Sequence, residues 1–218
     1  MIGTYANYVA MDDHSTGETL RHLLQNFYKE YNLGENGGIQ DSKVTIEVSK
    51  NFHFYIPNFD DRRKAVLKHD IHHLITGYKS DFKGETEIGA WEVASSCTHY
   101  WVGWALNLHS FALGVLLNLR GVFNAFVRGS RSGNLYHDLI PDEQALDSTV
   151  HELQQLLHIP QKSEKLRATA KEILLFIFWL SVGGIYSLAS IAILPLVVAY
   201  NVYLAINSKR INIKDSAA

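Results

Sequence analysis

The sequence predicts an all-α protein: a helical domain over residues 1–160 with at most a short strand or extended arm, followed by a hydrophobic helical hairpin over 161–218. Three observations lead there. Apolar residues recur at helical spacing through most of the first part. One stretch alone alternates as a strand would. Residues 173–208, 36 in a row, contain no Asp, Glu, Lys or Arg.

Composition narrows the field of functions. A formal net charge of -2 over 218 residues gives no basic field to neutralise phosphates, which argues against general nucleic-acid binding. The single cysteine, Cys97, has no intrachain partner and sits in an apolar run, so it is expected as a small core residue. The opening segment MIGTYANYVAMDDHSTGE carries acidic residues and lacks a basic region followed by an apolar run, so no cleaved leader is expected.

From Ser15 to Gly34 the pattern is an amphipathic helix. Ser15 and Glu18 fit a capping box; Leu20, Leu23, Leu24, Phe27, Tyr28 and Tyr31 form the apolar stripe, and Gly34 supplies a stop. The stretch SKVTIEVSKNFHFYIP alternates through Val44, Ile46 and Val48 up to Pro57, which predicts one strand or an extended arm. A second helix follows, with Asn58 or Asp60 as cap, acidic residues in its first turn and Gly77 near its end. The linker YKSDFKG leads into a long helix from about Glu85 to Leu119, and the Gly/Ser-rich, basic passage RGVFNAFVRGSRSGNLY is expected to turn. A further helix is expected over Asp142 to Leu157, with Val150, Leu153, Leu156 and Leu157 inward.

As one helix, the uncharged C-terminal run would be about 54 Å long against a hydrocarbon core of roughly 30 Å, so it is expected to break, best at Gly183 and Gly184, with Pro195 as a second site for a kink. The alternative is one tilted span over 185–206 behind an interfacial helix. Basic residues flank the run: Lys162, Lys165, Arg167 and Lys171 before it, and Lys209, Arg210 and Lys214 after it. A hairpin would put both flanks on the cytoplasmic, or matrix, side, together with the first domain.

The chemistry-bearing stretch is KHDIHHLITGYKSDFKGETEIGAWE, at 68–92. His69 and His73 are four residues apart on the second helix and share a face, the usual helical way to offer two imidazoles to one metal ion. Asp70 is about 100° round from His69, close enough to complete a chelate or orient a ligand. His72 points elsewhere and is assigned to solvent or packing. Glu85 can return over the second helix through a loop, and Glu92 and His99 follow at seven-residue steps on the same stripe. Glu87 is expected to face solvent. Asp70 stands where the H-E-x-x-H proteases carry their glutamate base, which disfavours protease chemistry. An HD-type phosphohydrolase would need further ligands, for which His53 and Asp81 are weakly placed.

The run His69, Asp70, His73 and Glu85, with LITG after the last histidine, Gly84 before Glu85 and a further glutamate at Glu92, resembles the signature of the coenzyme Q biosynthesis protein 4 family. The similarity covers roughly Leu20 to Leu157. The resemblance implies a mostly helical fold that binds a divalent ion, zinc first, through those four residues beside a tunnel for an isoprenoid chain. It implies action on a polyprenylated aromatic acid, removing the C1 carboxylate with hydroxylation, at a membrane and with other quinone-biosynthesis enzymes as partners; a second copy of the chain is a further partner to consider. Glu92 and His99 would then be catalytic or supporting residues. Trp101 and Trp104, on the apolar wall of the long helix, and Arg128 and Arg131 beyond it, would meet lipid or headgroup. The hydrophobic C-terminal segment departs from the family's peripheral character. Two other readings stand beside this one: a non-catalytic prenyl-lipid scaffold whose ion fixes two helices, and a metal-dependent lipid or phosphate-ester hydrolase.

Overall fold

Helices carry the architecture in a computed structural model of the chain, which describes residues 17–39, 41, 43–49, 52–58 and 60–215. Helix α1, Leu20–Glu30, buries Leu20, Leu23, Leu24, Phe27 and Tyr28, the expected stripe. Thr19 is its N-cap residue, and Glu18 pairs with His22. The expected capping box needs Ser15, which lies outside the described residues.

The alternating stretch makes two strands where one was expected. Strands β1, Lys43–Ser49, and β2, Phe52–Pro57, pair antiparallel with Val44 opposite Ile56 and Ile46 opposite Phe54. The segment is long enough to fold back on itself, and Phe52, Phe54 and Ile56 continue the alternation after the reversal. Beyond this hairpin the described chain is helical.

Helix α2, Asp60–Thr76, opens with Asp60 and Asp61 and ends at Gly77, whose φ of +72° is the left-handed conformation that suits glycine. The long helix expected over 85–119 is two helices. Helix α3, Phe82–Ser95, is capped by Asp81, which accepts from the Gly84 amide at 2.8 Å. Helix α4 runs Trp101–Gly129. Between them Ser96 and Thr98 take φ of +77° and +44°, so the chain turns where apolar periodicity alone had suggested continuity. Helix α4 passes through Arg120 and Gly121, part of the passage expected to turn, with a kink at Asn118. The kink faces Glu87, whose carboxylate accepts from Asn118 Nδ2 at 2.9 Å. Glu87 is therefore buried rather than solvent-facing.

The predicted helix over 142–157 is likewise split, into α5, Asp142–Asp147, and α6, Val150–Leu156. The break comes from Thr149, which forms a full capping box with Glu152 and starts a new helix.

Helix α7, Ala170–Asp215, is continuous and passes through Gly183, Gly184 and Pro195. The expected helical hairpin is therefore corrected to one helix, about 69 Å long. Gly183 is not a hinge: a Cβ there would stand 3.0 Å from the Leu108 carbonyl, so this glycine lets α7 approach α4. With one helix the two basic flanks lie at opposite ends, so they do not share one side of a membrane by a hairpin. Trp104 stacks on Trp179 at 4.8 Å between ring centroids, and Phe176 packs on Phe111, Phe123 and Phe126, so the start of α7 shares the core of the first 160 residues. Two helical stretches, Trp101–Gly129 and Ala170–Ile193, are long and apolar enough to cross a membrane. Leu116 and Leu117 on α4, and Leu174, Ile185 and Leu188 on α7, remain exposed.

Candidate metal centre

The centre is assembled by the last two turns of α2 and the first turn of α3. The left-handed Gly77 reverses the chain, and the Asp81 cap starts α3 early enough to bring Glu85 back over α2. Ligand atoms of His69, His73 and Glu85 all lie within 4.8 Å of one another and could hold a metal ion. The two Nε2 atoms face each other at 3.1 Å. Glu85 Oε2 is 3.4 Å from His69 Nε2, and Oε1 is 3.3 Å from His73 Nε2. Ser80 Oγ donates to Glu85 Oε1 at 2.8 Å and fixes the carboxylate.

The partners of the other ring nitrogens decide what those Nε2 atoms are. His73 Nδ1 lies 2.9 Å from the Tyr78 carbonyl, which can only accept, so Nδ1 carries the proton. His69 Nδ1 lies 3.0 Å from Glu92 Oε1, again an acceptor. In the neutral rings both Nε2 atoms therefore present lone pairs to each other and to a carboxylate. Three electron-rich groups converge, and a cation between them would satisfy all three. Two imidazole nitrogens on a tetrahedral zinc at about 2.0–2.1 Å stand about 3.3 Å apart, close to the spacing found. The donor set fits a small divalent ion.

Electrostatics agree with that reading. Burial alone would raise the Glu85 carboxyl, but hydrogen bonds and charge from His69 and His73 win and hold it well below the usual carboxylate range. Burial works against an imidazolium at His69, yet Glu92 and Glu85 outweigh it and raise that imidazole well above its ordinary value. Without a metal, a proton on His69 is the cation the site can recruit.

Glu92 is the interior anchor. It is fully buried; Oε1 accepts from His69 and from His72 Nδ1 at 2.7 Å, and Oε2 from Tyr136 Oη at 3.2 Å and from Asn107 Nδ2. Burial raises the Glu92 carboxyl, but His69 and His72 overcome it and keep it ionised. His72, assigned by spacing to solvent or packing, is buried: its Nε2 accepts from the Leu135 amide at 3.0 Å, which leaves Nδ1–H to donate to Glu92. Asn107 and Tyr136 lie far along the chain from the motif and gave no signal in the sequence.

Asp70 stands apart from the three converging groups. It is buried against Gly37 beside Tyr28, and its Oδ2 and the Tyr28 hydroxyl find no hydrogen-bond partner among the described residues. Burial pushes its carboxyl up to about 6, partly offset by the charges of His69 and His73. His99 is not on the Glu85–Glu92 stripe, because α3 ends at Ser95; it is exposed, with Nε2 3.3 Å from Asp138 Oδ2. Trp101 is exposed at the start of α4, while Trp104 donates from Nε1 to the Thr98 carbonyl at 3.0 Å. Arg128 is buried and donates to the Thr76 and Pro160 carbonyls at 2.7 and 2.6 Å. Arg131 is paired with Glu172 at 2.7 Å.

A cleft of about 300 Å³ opens directly on His69 and Glu85. Its remaining wall is largely apolar, with Ala65, Val66, Val102, Gly103 and Leu106, and with Asn107, Ser110 and Tyr136 as polar points. Leu106 belongs to α4, whose outer face carries the exposed leucines. No family model, curated protein or solved structure matches the chain.

Proposed function

We propose that the chain is a metal-dependent, membrane-associated enzyme acting on a lipid-tailed substrate. One observation carries the reading: His69 and Glu85, two members of the cluster they form with the buried His73, make the polar end of a cleft whose other walls are largely apolar and whose rim lies on a membrane-type helix. Such a site suits a molecule with an anionic head and a hydrocarbon tail. The resemblance to the coenzyme Q biosynthesis protein 4 family narrows the substrate to a polyprenylated aromatic acid that loses its C1 carboxylate and gains a hydroxyl. Replacing carboxyl by hydroxyl is a two-electron oxidation, so an oxidant such as dioxygen is required.

A bound divalent ion would polarise the ring carboxylate or a neighbouring phenolate and stabilise developing negative charge. The protein's own contribution is positional. Glu92 and the Tyr78 carbonyl hold the two imidazoles in the tautomer that turns the Nε2 lone pairs toward Glu85. Val102, Gly103 and Leu106 keep water from the tail side, and Asn107 and Ser110 offer polar contacts within reach of a ring substituent.

A second reading, a prenyl-lipid scaffold, draws on the origin of the ligands. They come from α2 and α3, so an ion would staple the two helices together. The test is His73→Ala in the full chain, with metal content, copurified lipids and turnover of a prenylated hydroxybenzoate measured together. The enzyme reading expects metal and turnover to vanish while helix content stays. A wild-type protein that carries metal and prenyl lipid but turns nothing over would select the scaffold, and undiminished metal in the variant would overturn both.

A further inference from the structure

A second cavity, of about 360 Å³, shares no lining residue with the metal cleft. It lies between the loop after α2, the C-terminal half of α4 and the segment that leads into α7, and its wall carries Arg128, Lys162, Ser163 and Lys165. Arg128 and Lys162 both lie over the ring of the buried Tyr78, 5.3 and 4.7 Å from its centroid. Their hydrogen-bond partners are backbone carbonyls: Thr76 and Pro160 for Arg128, and Gly77 for Lys162. Among the described residues neither has a carboxylate within ion-pair distance. Of the two glutamates on the wall, Glu87 accepts from Asn118 at 2.9 Å and lies 3.9 Å from Lys83, while Glu164 is exposed. Lys162, Ser163 and Lys165 are exposed residues around the buried Arg128, and partial desolvation, together with the charges of Arg128, Lys79 and Lys83, lowers the Lys162 ammonium against the pull of Glu87. A buried guanidinium without a counter-ion, beside two lysines and open space, is an electrostatic debt that a bound anion would cancel.

We propose that this cavity binds a phosphate group, held by Arg128, Lys162 and Lys165 with the Ser163 hydroxyl as a further donor. Phosphate is favoured because it can accept from a guanidinium, two ammonium groups and a hydroxyl at once. The position suggests two sources for the same chemistry. Ala170 begins the candidate span of α7 just after Leu166, so a lipid phosphate at the foot of that helix is in reach; a soluble phosphate compound would enter by the same opening. The proposal is independent of the metal centre.

The experiment uses the full chain in uncharged detergent. Inorganic phosphate is titrated at constant ionic strength, with the amide signals of 162–166 as readout. In parallel, flotation is measured with vesicles of phosphatidylcholine, with and without phosphatidic acid. Lys162→Gln, Lys165→Gln and the pair are compared, with helix content and the thermal midpoint as the check that the fold persists. The expected result is saturable binding in at least one arm, weakened about tenfold or more in the double variant with helix content and thermal midpoint unchanged. Binding in the phosphate arm identifies a soluble ligand, and loss confined to phosphatidic acid vesicles identifies a lipid headgroup. No saturable binding in either arm, or equal binding by the double variant, would overturn the proposal.

Discussion

Glu92 and His72 form a wholly buried pair, carboxylate to imidazole at 2.7 Å, and the same carboxylate oxygen holds His69 at 3.0 Å. A residue outside the ligand cluster thus sets the orientation of one inside it. Glu92→Gln keeps the shape but offers one accepting oxygen where two are used, so His69 loses the charge that fixes its tautomer. Metal affinity is expected to fall about 10–100-fold with the fold retained, as measured by competition against a chelator. Unchanged affinity would remove Glu92 from the site.

Acid and metal compete at His69. Its folded-state value is raised, so in the metal-free protein the imidazolium contributes stability that is fully present below the ordinary 6.5 and lost as pH rises through the raised value. A metal needs that proton removed. Apparent affinity for zinc or cobalt is expected to climb up to about tenfold per pH unit until the raised value is passed, with proton release on binding. A flat titration between about pH 6 and pH 9 would count against the His69 ligand role.

Asp70 responds in the opposite sense to an ordinary paired carboxylate. Its folded value is raised to about 6, so the native state holds the proton more tightly than the unfolded chain, and stability falls as pH rises from about 4 through 6. Asp70→Asn mimics the protonated form. In metal-free protein it is expected to be stabilising at pH 8 by on the order of 2 kcal/mol, with the gain fading below about pH 4, in urea melts. If the metal-loaded variant also keeps its ion, Asp70 is a neighbour of the centre and not a ligand; loss of the ion would restore it to the four-residue set that the motif implies.

The legible parts of this molecule were those written in local periodicity. The i, i+4 pair His69 and His73 and the returning Glu85 were readable because helix geometry and a glycine reversal place them together whatever the rest does. Helix ends were less so: Ser96 and Thr98 turn the chain inside a stretch whose apolar pattern runs on, and Thr149 restarts a helix that the pattern shows as one. Gly183 misled because glycine serves both hinges and close helix contacts, and only the Leu108 carbonyl at 3.0 Å tells them apart. The residues around Glu92 were out of reach, since Asn107 and Tyr136 arrive by tertiary packing.

Gly129 ties the packing to the site. A Cβ there would stand 2.3 Å from the Trp91 carbonyl oxygen and 2.8 Å from its Cα, so α4 and α3 touch backbone to backbone one residue from Glu92. Gly129→Ala must push the helices apart. It is expected to cost about 1–3 kcal/mol and lower the thermal midpoint, with weaker metal binding as Glu92 shifts. An unchanged midpoint would mean that the helix pair yields without strain.

Membrane association turns on residues the core does not use. Leu116 is 80% exposed on α4 and Leu188 is 71% exposed on α7, both within stretches apolar enough to span. So wide an apolar face marks a membrane or protein contact surface, and the two stretches long enough to span point to the membrane first. The full chain is therefore expected to sediment with membranes and to require detergent for extraction. Leu116→Glu with Leu188→Glu removes no packing contact of the interior, yet each charge placed in hydrocarbon costs roughly 2.5–3.5 kcal/mol. The double variant should partition markedly toward the soluble fraction while keeping its metal. If wild type and variant are both soluble without detergent, the exposed leucines face a protein partner instead, and the cleft at His69 opens toward that partner rather than toward lipid.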